Sequence, residues 1–139
     1  MTAYVDSSVI LRLILGQPGA LAEWSSVQRA ISSSITRLEC LRTLENYRRH
    51  VAMPDPEWAV LRSSTLRMLE AFELLDTDPV VLERASSPMP TTLRTIDALH
   101  AVTALLWQEM QGESLIMATH DRALGNAARA FGMEVIGLS

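Results

Sequence analysis

Residues 92–107 read TLRTIDALHAVTALLW, and the fold turns on whether this stretch is a helix that carries one acid towards the interior. Ile96, Leu99, Val102, Leu106 and, one turn on, Met110 recur at three- and four-residue intervals, the apolar stripe of a helix laid on a sheet. Asp97 lies beside that stripe, and Ala101 and Ala104 share its face and leave room for a close approach. A lone buried carboxylate costs several kcal/mol unless it is paired, hydrogen-bonded or bound to metal. Asp97 therefore either faces such a partner or merely favours the positive end of its helix.

Outward from this helix towards the C-terminus, residues 114–117, SLIM, have the composition of a strand. Ala118-Thr119-His120-Asp121 follows, then a helix through Arg122, Leu124, Ala128 and Phe131 closed by Gly132, and a last strand over 133–136. Asp121 stands at a strand's carboxyl end, where it serves either a site or the first amides of the helix. His100 and His120 are not paired at zinc spacing, so a structural role or support of a ligand is expected of each.

Outward towards the N-terminus, the loop SSPMPTT over 86–92 is preceded by a short helix over 80–85 behind Asp78-Pro79, a strand over 72–75 and a helix over 57–71. The acids of this middle region, Glu70, Glu73, Asp76 and Asp78, are spaced as on a solvated surface. A long helix from Thr36 to near Met53 carries Leu38, Leu41, Leu44, Tyr47 and Val51. Glu39, one turn inside it, either closes a capping box with Thr36 or belongs to a site. Before it come a strand of poor apolar content over 30–34, AISSS, and a helix over 19–28 with Leu21, Trp24 and Val27 on one face. The chain opens with the strand Ala3-Tyr4-Val5, then Asp6-Ser7-Ser8 and a helix that stops at Gly16 and Pro18. Asp6 is again at a strand-to-helix junction, as an N-cap or as part of a site, and Ser7 either orients it or faces water.

The 139 residues, 48% of them hydrophobic, fit one domain spanning 1–139. Apolar runs are too short to span a membrane and the N-terminus lacks signal-peptide character, so a cytoplasmic protein is expected. The single cysteine, Cys40, forms no internal disulfide and is expected to be an apolar filler. Trp24, Trp58 and Trp107 are scattered, as expected of packing or partner contacts. All 12 basic residues are arginine, which excludes lysine chemistry such as Schiff bases, the P-loop and aspartyl-phosphate enzymes with their lysine. A net charge of −4 argues against a protein that coats nucleic acid through its overall field, but leaves a nuclease with a carboxylate site open.

Taken jointly, strands alternating with helices imply a parallel sheet of four to five short strands with right-handed crossovers and helices on both faces, an α/β/α arrangement. Asp6 and Asp121 then project from one sheet edge, and Glu39 and Asp97 enter from the first turns of helices that open on it. Such a cluster repels itself unless a cation neutralises it, and all-oxygen ligation suits Mg²⁺ or Mn²⁺.

These residues carry a resemblance. YVDSSVILRLIL, ITRLECLRTL, TIDALHAVTALL and MATHDRALGNAARAFGMEVI, in this order, resemble the PIN-domain family, and within it the VapC-type toxins of type II toxin–antitoxin systems. Asp6, Glu39, Asp97 and Asp121 match the family's acidic quartet, and Thr119 its frequent hydroxyl before the last acid. The resemblance implies a metal-dependent ribonuclease inhibited by an antitoxin. On it, Asp6, Asp97 and Asp121 are the expected metal ligands, Glu39 holds a second ion or orients the attacking water, and Ser7 and Thr119 fix carboxylate rotamers. Arg37, Arg42, Arg94 and Arg122 are the expected phosphate contacts. A homodimer is expected from the resemblance and from apolar patches at Leu21, Trp24 and Val27 or at Trp58, Val60 and Leu61. Two competing classes are a PIN-like module that binds RNA or protein without turnover, against which the intact quartet weighs, and an aspartyl-phosphate enzyme of similar topology, against which the missing lysine and Ser8 in place of a second aspartate after Asp6 weigh.

Overall fold

A computed structural model describes residues 1–138. Among these, five strands form one parallel sheet: β1 (Thr2–Val5), β2 (Arg29–Ser33), β3 (Glu73–Leu75), β4 (Ile116–Ala118) and β5 (Val135–Ile136), in the order β3-β2-β1-β4-β5. Six α-helices connect them: α1 (Ser7–Ile14), α2 (Ser34–His50), α3 (Asp55–Glu70), α4 (Pro79–Ala85), α5 (Thr95–Gln111) and α6 (Arg122–Ala130). The chain reverses direction of travel across the sheet between β1 and β4, which is where an open α/β sheet leaves a crevice at its carboxyl edge.

Strand periodicity sorts β1 between two cores. Tyr4 joins Ile31, Met117, Ala101, Ala104, Trp107 and Leu124 on the α5–α6 side, whereas Ala3 and Val5 join Val9, Ile10, Cys40 and Leu69 on the α1–α2–α3 side. The expected three layers are therefore present. Cys40 is buried filler, as its composition suggested. No helix among the described residues is long and apolar enough to cross a membrane.

Several local expectations are corrected. The helix expected over 19–28 reduces to a 3-10 turn, Trp24–Ser26. Its apolar residues are core: Leu21 is buried and Trp24 stacks on Phe72 with ring centroids 6.2 Å apart, so this is not an exposed patch. The stripe on α5 is also displaced, since Ile96 and Met110 are exposed while Ala98, Leu99, His100, Ala101, Val102, Thr103, Ala104 and Trp107 are buried. A helix wedged between α4, α6 and the sheet is covered on most sides, and Ala101 and Ala104 are fully buried within the core it shares with the sheet and α6. The strand expected over 114–117 begins two residues later, because Leu115 packs in the core ahead of the ladder and its amide donates to Gln108 Oε1 at 2.8 Å.

Candidate active site

Asp6 follows β1 directly and is 5% exposed. Its position is that of an N-cap, yet its carboxylate bonds none of the first amides of α1. Hydroxyls hold it instead. Ser8 Oγ and Thr119 Oγ1 each donate to Asp6 Oδ2 at 2.7 Å, while Ser7 Oγ reaches Oδ1 only at 3.4 Å. Both close hydroxyls also accept a backbone N–H from the segment after β4: His120 N–H donates to Ser8 Oγ at 3.0 Å and Asp121 N–H to Thr119 Oγ1 at 2.9 Å. Accepting from the amide turns each hydroxyl proton towards Asp6, so two elements brought together by β1–β4 pairing fix one carboxylate.

Asp121 does cap α6: its Oδ1 accepts from Ala123 N–H at 2.8 Å and from Leu124 N–H at 3.4 Å. Here capping and a site role are compatible, because one oxygen performs the cap and anchors the carboxyl group. Glu39 does not form the capping box. Helix α2 starts at Ser34, capped by Ser33 Oγ accepting from Ile35 N–H at 3.1 Å, so Thr36 lies inside the helix with its hydroxyl 2.6 Å from Ser32 Oγ. Glu39 Oε1 instead accepts from His100 Nε2 at 2.5 Å.

Asp97, in the first turn of α5, lies half-buried at a cleft of about 840 Å³ lined also by Glu39, Asp121, Arg94, Ile96 and Leu93. Burial first, then the charges of Asp121 and Asp6 and more weakly Glu39, push its carboxyl above the usual range, although His100 opposes this. The charges of the other three acids thus bear on Asp97. Among the described residues no group of three or more His, Cys, Asp or Glu side chains stands ready to hold an ion. The donor set nevertheless fits a hard cation, which takes oxygen ligands and, in the case of Mg²⁺, keeps several waters and needs only one or two direct carboxylates.

The arginines divide. Arg94 lines the acidic cleft, whereas Arg37 lines a separate pocket with Leu66, Leu69, Glu70, Phe72 and Leu74. Arg42 is exposed on α2, and Arg122 is exposed as the first residue of α6. His120 is not at the acids through its ring: its Nδ1 donates to Gly137 O at 2.7 Å. Ser8 and Tyr4 are not among the site residues expected from the sequence. A hydroxyl two residues after a strand-end acid, and a tyrosine two residues before it on the same strand face, were the available signals.

The PIN domain family profile matches residues 3–130. This chain belongs to the PIN-domain family. Among its PIN-domain relatives, Ribonuclease VapC46 of Mycobacterium tuberculosis is 32% identical over 98% of this chain and 97% of its own length. Ribonuclease VapC35 of the same organism is 29% identical over 96% of this chain and 94% of its own. A solved structure entitled toxin–antitoxin complex, from Klebsiella pneumoniae, superposes with a TM-score of 0.70 at 18% identity, covering 97% of this PIN domain and 96% of that chain. At that identity the superposition speaks for the fold alone.

Proposed function

We propose that this PIN-domain protein is an endoribonuclease dependent on Mg²⁺ or Mn²⁺, and the toxin of a toxin–antitoxin pair acting in the cytoplasm. The observation that carries the reading is the gathering of Glu39, Asp97 and Asp121 about one cleft with Arg94, where burial and then the charges of Asp121, Asp6 and Glu39 push the Asp97 carboxyl up. Excess negative charge at the place where a polyanion must bind supports a cation as part of the working site. The kinship with proteins named ribonucleases supports RNA as the substrate.

Asp6, Asp97 and Asp121 would hold the ion. When bound, it would polarise the scissile phosphate and lower the pKa of a water near it. The chain's own residues supply placement. Ser8 and Thr119 occupy Asp6 Oδ2 and leave Oδ1 with Ser7 as a distant third contact. Glu39 has Oε1 engaged by His100, so Oε2 is the oxygen that accepts a hydrogen bond from the attacking water or meets a second ion. Arg94 contacts the phosphate from the cleft wall, and Arg37, Arg42 and Arg122 steer the strand from further out.

The partner half of the reading rests on exposed apolar side chains and on the Klebsiella pneumoniae complex. Val60 is 68% exposed beside a groove lined with Ile14, Pro56 and Leu61. Val80, Leu82 and Ile96 are exposed on and beside α4. We assign these faces to an antitoxin segment and a second copy of the chain. An antitoxin arginine at Asp6 or Asp97 would supply the charge that metal supplies otherwise.

The test is to incubate the purified protein with labelled total RNA after EDTA treatment, with and without added Mn²⁺, and to map the ends. Discrete internal cuts only with metal are expected; the same cuts in excess EDTA would overturn the metal requirement. Co-expression with the neighbouring small open reading frame should give a complex on size exclusion that has lost cleavage. A monomer indifferent to that product would overturn the partner assignment.

A further inference from the structure

We propose that His100, backed by Tyr4, is the positioning residue for Glu39, locking one carboxylate oxygen so that the other is presented to the cleft. The inference rests on the reading of Glu39 as part of the RNA-cleaving site. His100 is 1% exposed and is engaged at both ring nitrogens: Nδ1 lies 2.7 Å from Tyr4 Oη and Nε2 lies 2.5 Å from Glu39 Oε1. A carboxylate can only accept, so Nε2 carries the proton and donates to Glu39. Nδ1 accepts from the Tyr4 hydroxyl when the ring is neutral and donates to its oxygen when the ring is charged. The contact to Glu39 therefore survives either charge state.

The chain of three side chains crosses three elements. Tyr4 is on β1 two residues before Asp6, His100 is on α5 one turn after Asp97, and Glu39 is on α2. The relative placement of three acids is thereby tied through one buried line. Tyr4 is fully buried, and burial keeps its hydroxyl protonated, so the far end of the line is a fixed neutral group. What only His100 provides is a donor carried from the dry core to Glu39, whose side chain is 30% exposed at the cleft. Freed from that donor, the glutamate regains rotamer freedom and no longer presents one geometry.

The experiment compares His100→Leu, His100→Gln, Tyr4→Phe, Glu39→Gln and the His100→Leu/Glu39→Gln double variant for kcat, KM and thermal melting, with ¹⁵N-histidine spectra of the same proteins. Loss of an outer partner of a metal-site residue typically costs about 10–100-fold, so His100→Leu should lower kcat by that factor with KM little changed. His100→Gln, which keeps an N–H near the Nε2 position, should recover most of it, and Tyr4→Phe should lose less than His100→Leu. In the Glu39→Gln background His100→Leu should cost almost nothing further, the signature of one residue acting through the other. The Nε2 proton should be protected and strongly deshielded in the wild type and in Asp97→Asn, and altered in Glu39→Gln.

A folded His100→Leu with wild-type kcat, or losses that simply multiply in the double variant, would overturn the proposal. If His100→Leu does not fold, His100→Gln and the spectra decide, and an Nε2 proton insensitive to Glu39→Gln overturns it. Wild-type kcat in Glu39→Gln would instead remove Glu39 from the active site, with the hydrogen bond still visible in the spectra.

Discussion

At the scale of single residues, Asp6 is held by hydroxyls, Asp121 by backbone amides and Glu39 by an imidazole. Thr119 donates to Asp6 and accepts from the Asp121 amide, and both contacts are buried or nearly so. Thr119→Val keeps the shape and orphans both groups, so it should lower unfolding free energy by about 1–3 kcal/mol in denaturant titration, with Thr119→Ser close to wild type. Equal stability of all three would mean the hydroxyl is idle. The raised Asp97 carboxyl gives a second prediction. Its folded value lies above the ordinary 3.8, so the folded state binds the proton more tightly and stability of the metal-free protein falls as pH rises through that interval. His100, raised above 6.5 by Glu39, Asp6 and Asp97 against the opposing effect of burial, adds a loss of the same sign at higher pH. Melting in EDTA across acid pH should therefore show a smaller decline for Asp97→Asn than for wild type; parallel curves would contradict this. Asp6, Asp97 and Asp121 were legible in the sequence because each follows a strand or sits in a first helical turn, whereas Glu39 lies in the second turn of α2, which begins earlier than its sequence suggests. Ser8, Tyr4 and the true partner of Glu39 were not, since sequence spacing carries no information about contacts as remote as the 61 positions between Glu39 and His100.

At the scale of elements, the alternation of strands and helices was readable from periodicity, and the parallel order follows from it. The misreadings have physical causes. The residues over 19–28 have helical spacing, but Pro18, Gly19 and the need to bury Leu21 and Trp24 against Phe72 leave only a 3-10 turn. Helix α5 is covered by α4 and α6 as well as the sheet, so a stripe argument that assumes one buried face misplaces it. Helix α2 starts at Ser34 because Ser33 caps it, which removes Thr36 from the cap position. The end of β5 makes a sharper prediction. Gly137 has φ +97°, and a Cβ there would lie 2.5 Å from Thr119 O. Since His120 also bonds the Gly137 carbonyl, Gly137→Ala should cost roughly 1–3 kcal/mol and displace the Thr119–Asp121 segment, lowering both melting temperature and RNA cleavage. An alanine variant indistinguishable from wild type would show that β5 does not support the site.

At the scale of the whole molecule, a sheet whose central strands end in acids faces a cost that the packing does not remove. The metal-free protein should therefore gain stability from divalent cations: at a hundredfold excess over Kd, binding to the folded state alone contributes about 2.7 kcal/mol, read as a rise in melting temperature with Mg²⁺ or Mn²⁺ and a smaller one with Ca²⁺. No shift at millimolar metal would mean that the acids do not share an ion. The central claim, that these acids form the metal-dependent centre that cuts RNA, is tested most directly by the cleavage rate of Asp97→Asn beside wild type at saturating Mn²⁺ on the same RNA. A variant that folds as wild type should lose more than the roughly 100-fold typical for outer partners of metal ligands, because it removes a ligand charge with almost no change of shape. Cleavage at the wild-type rate would make Asp97 a structural residue and contradict the account.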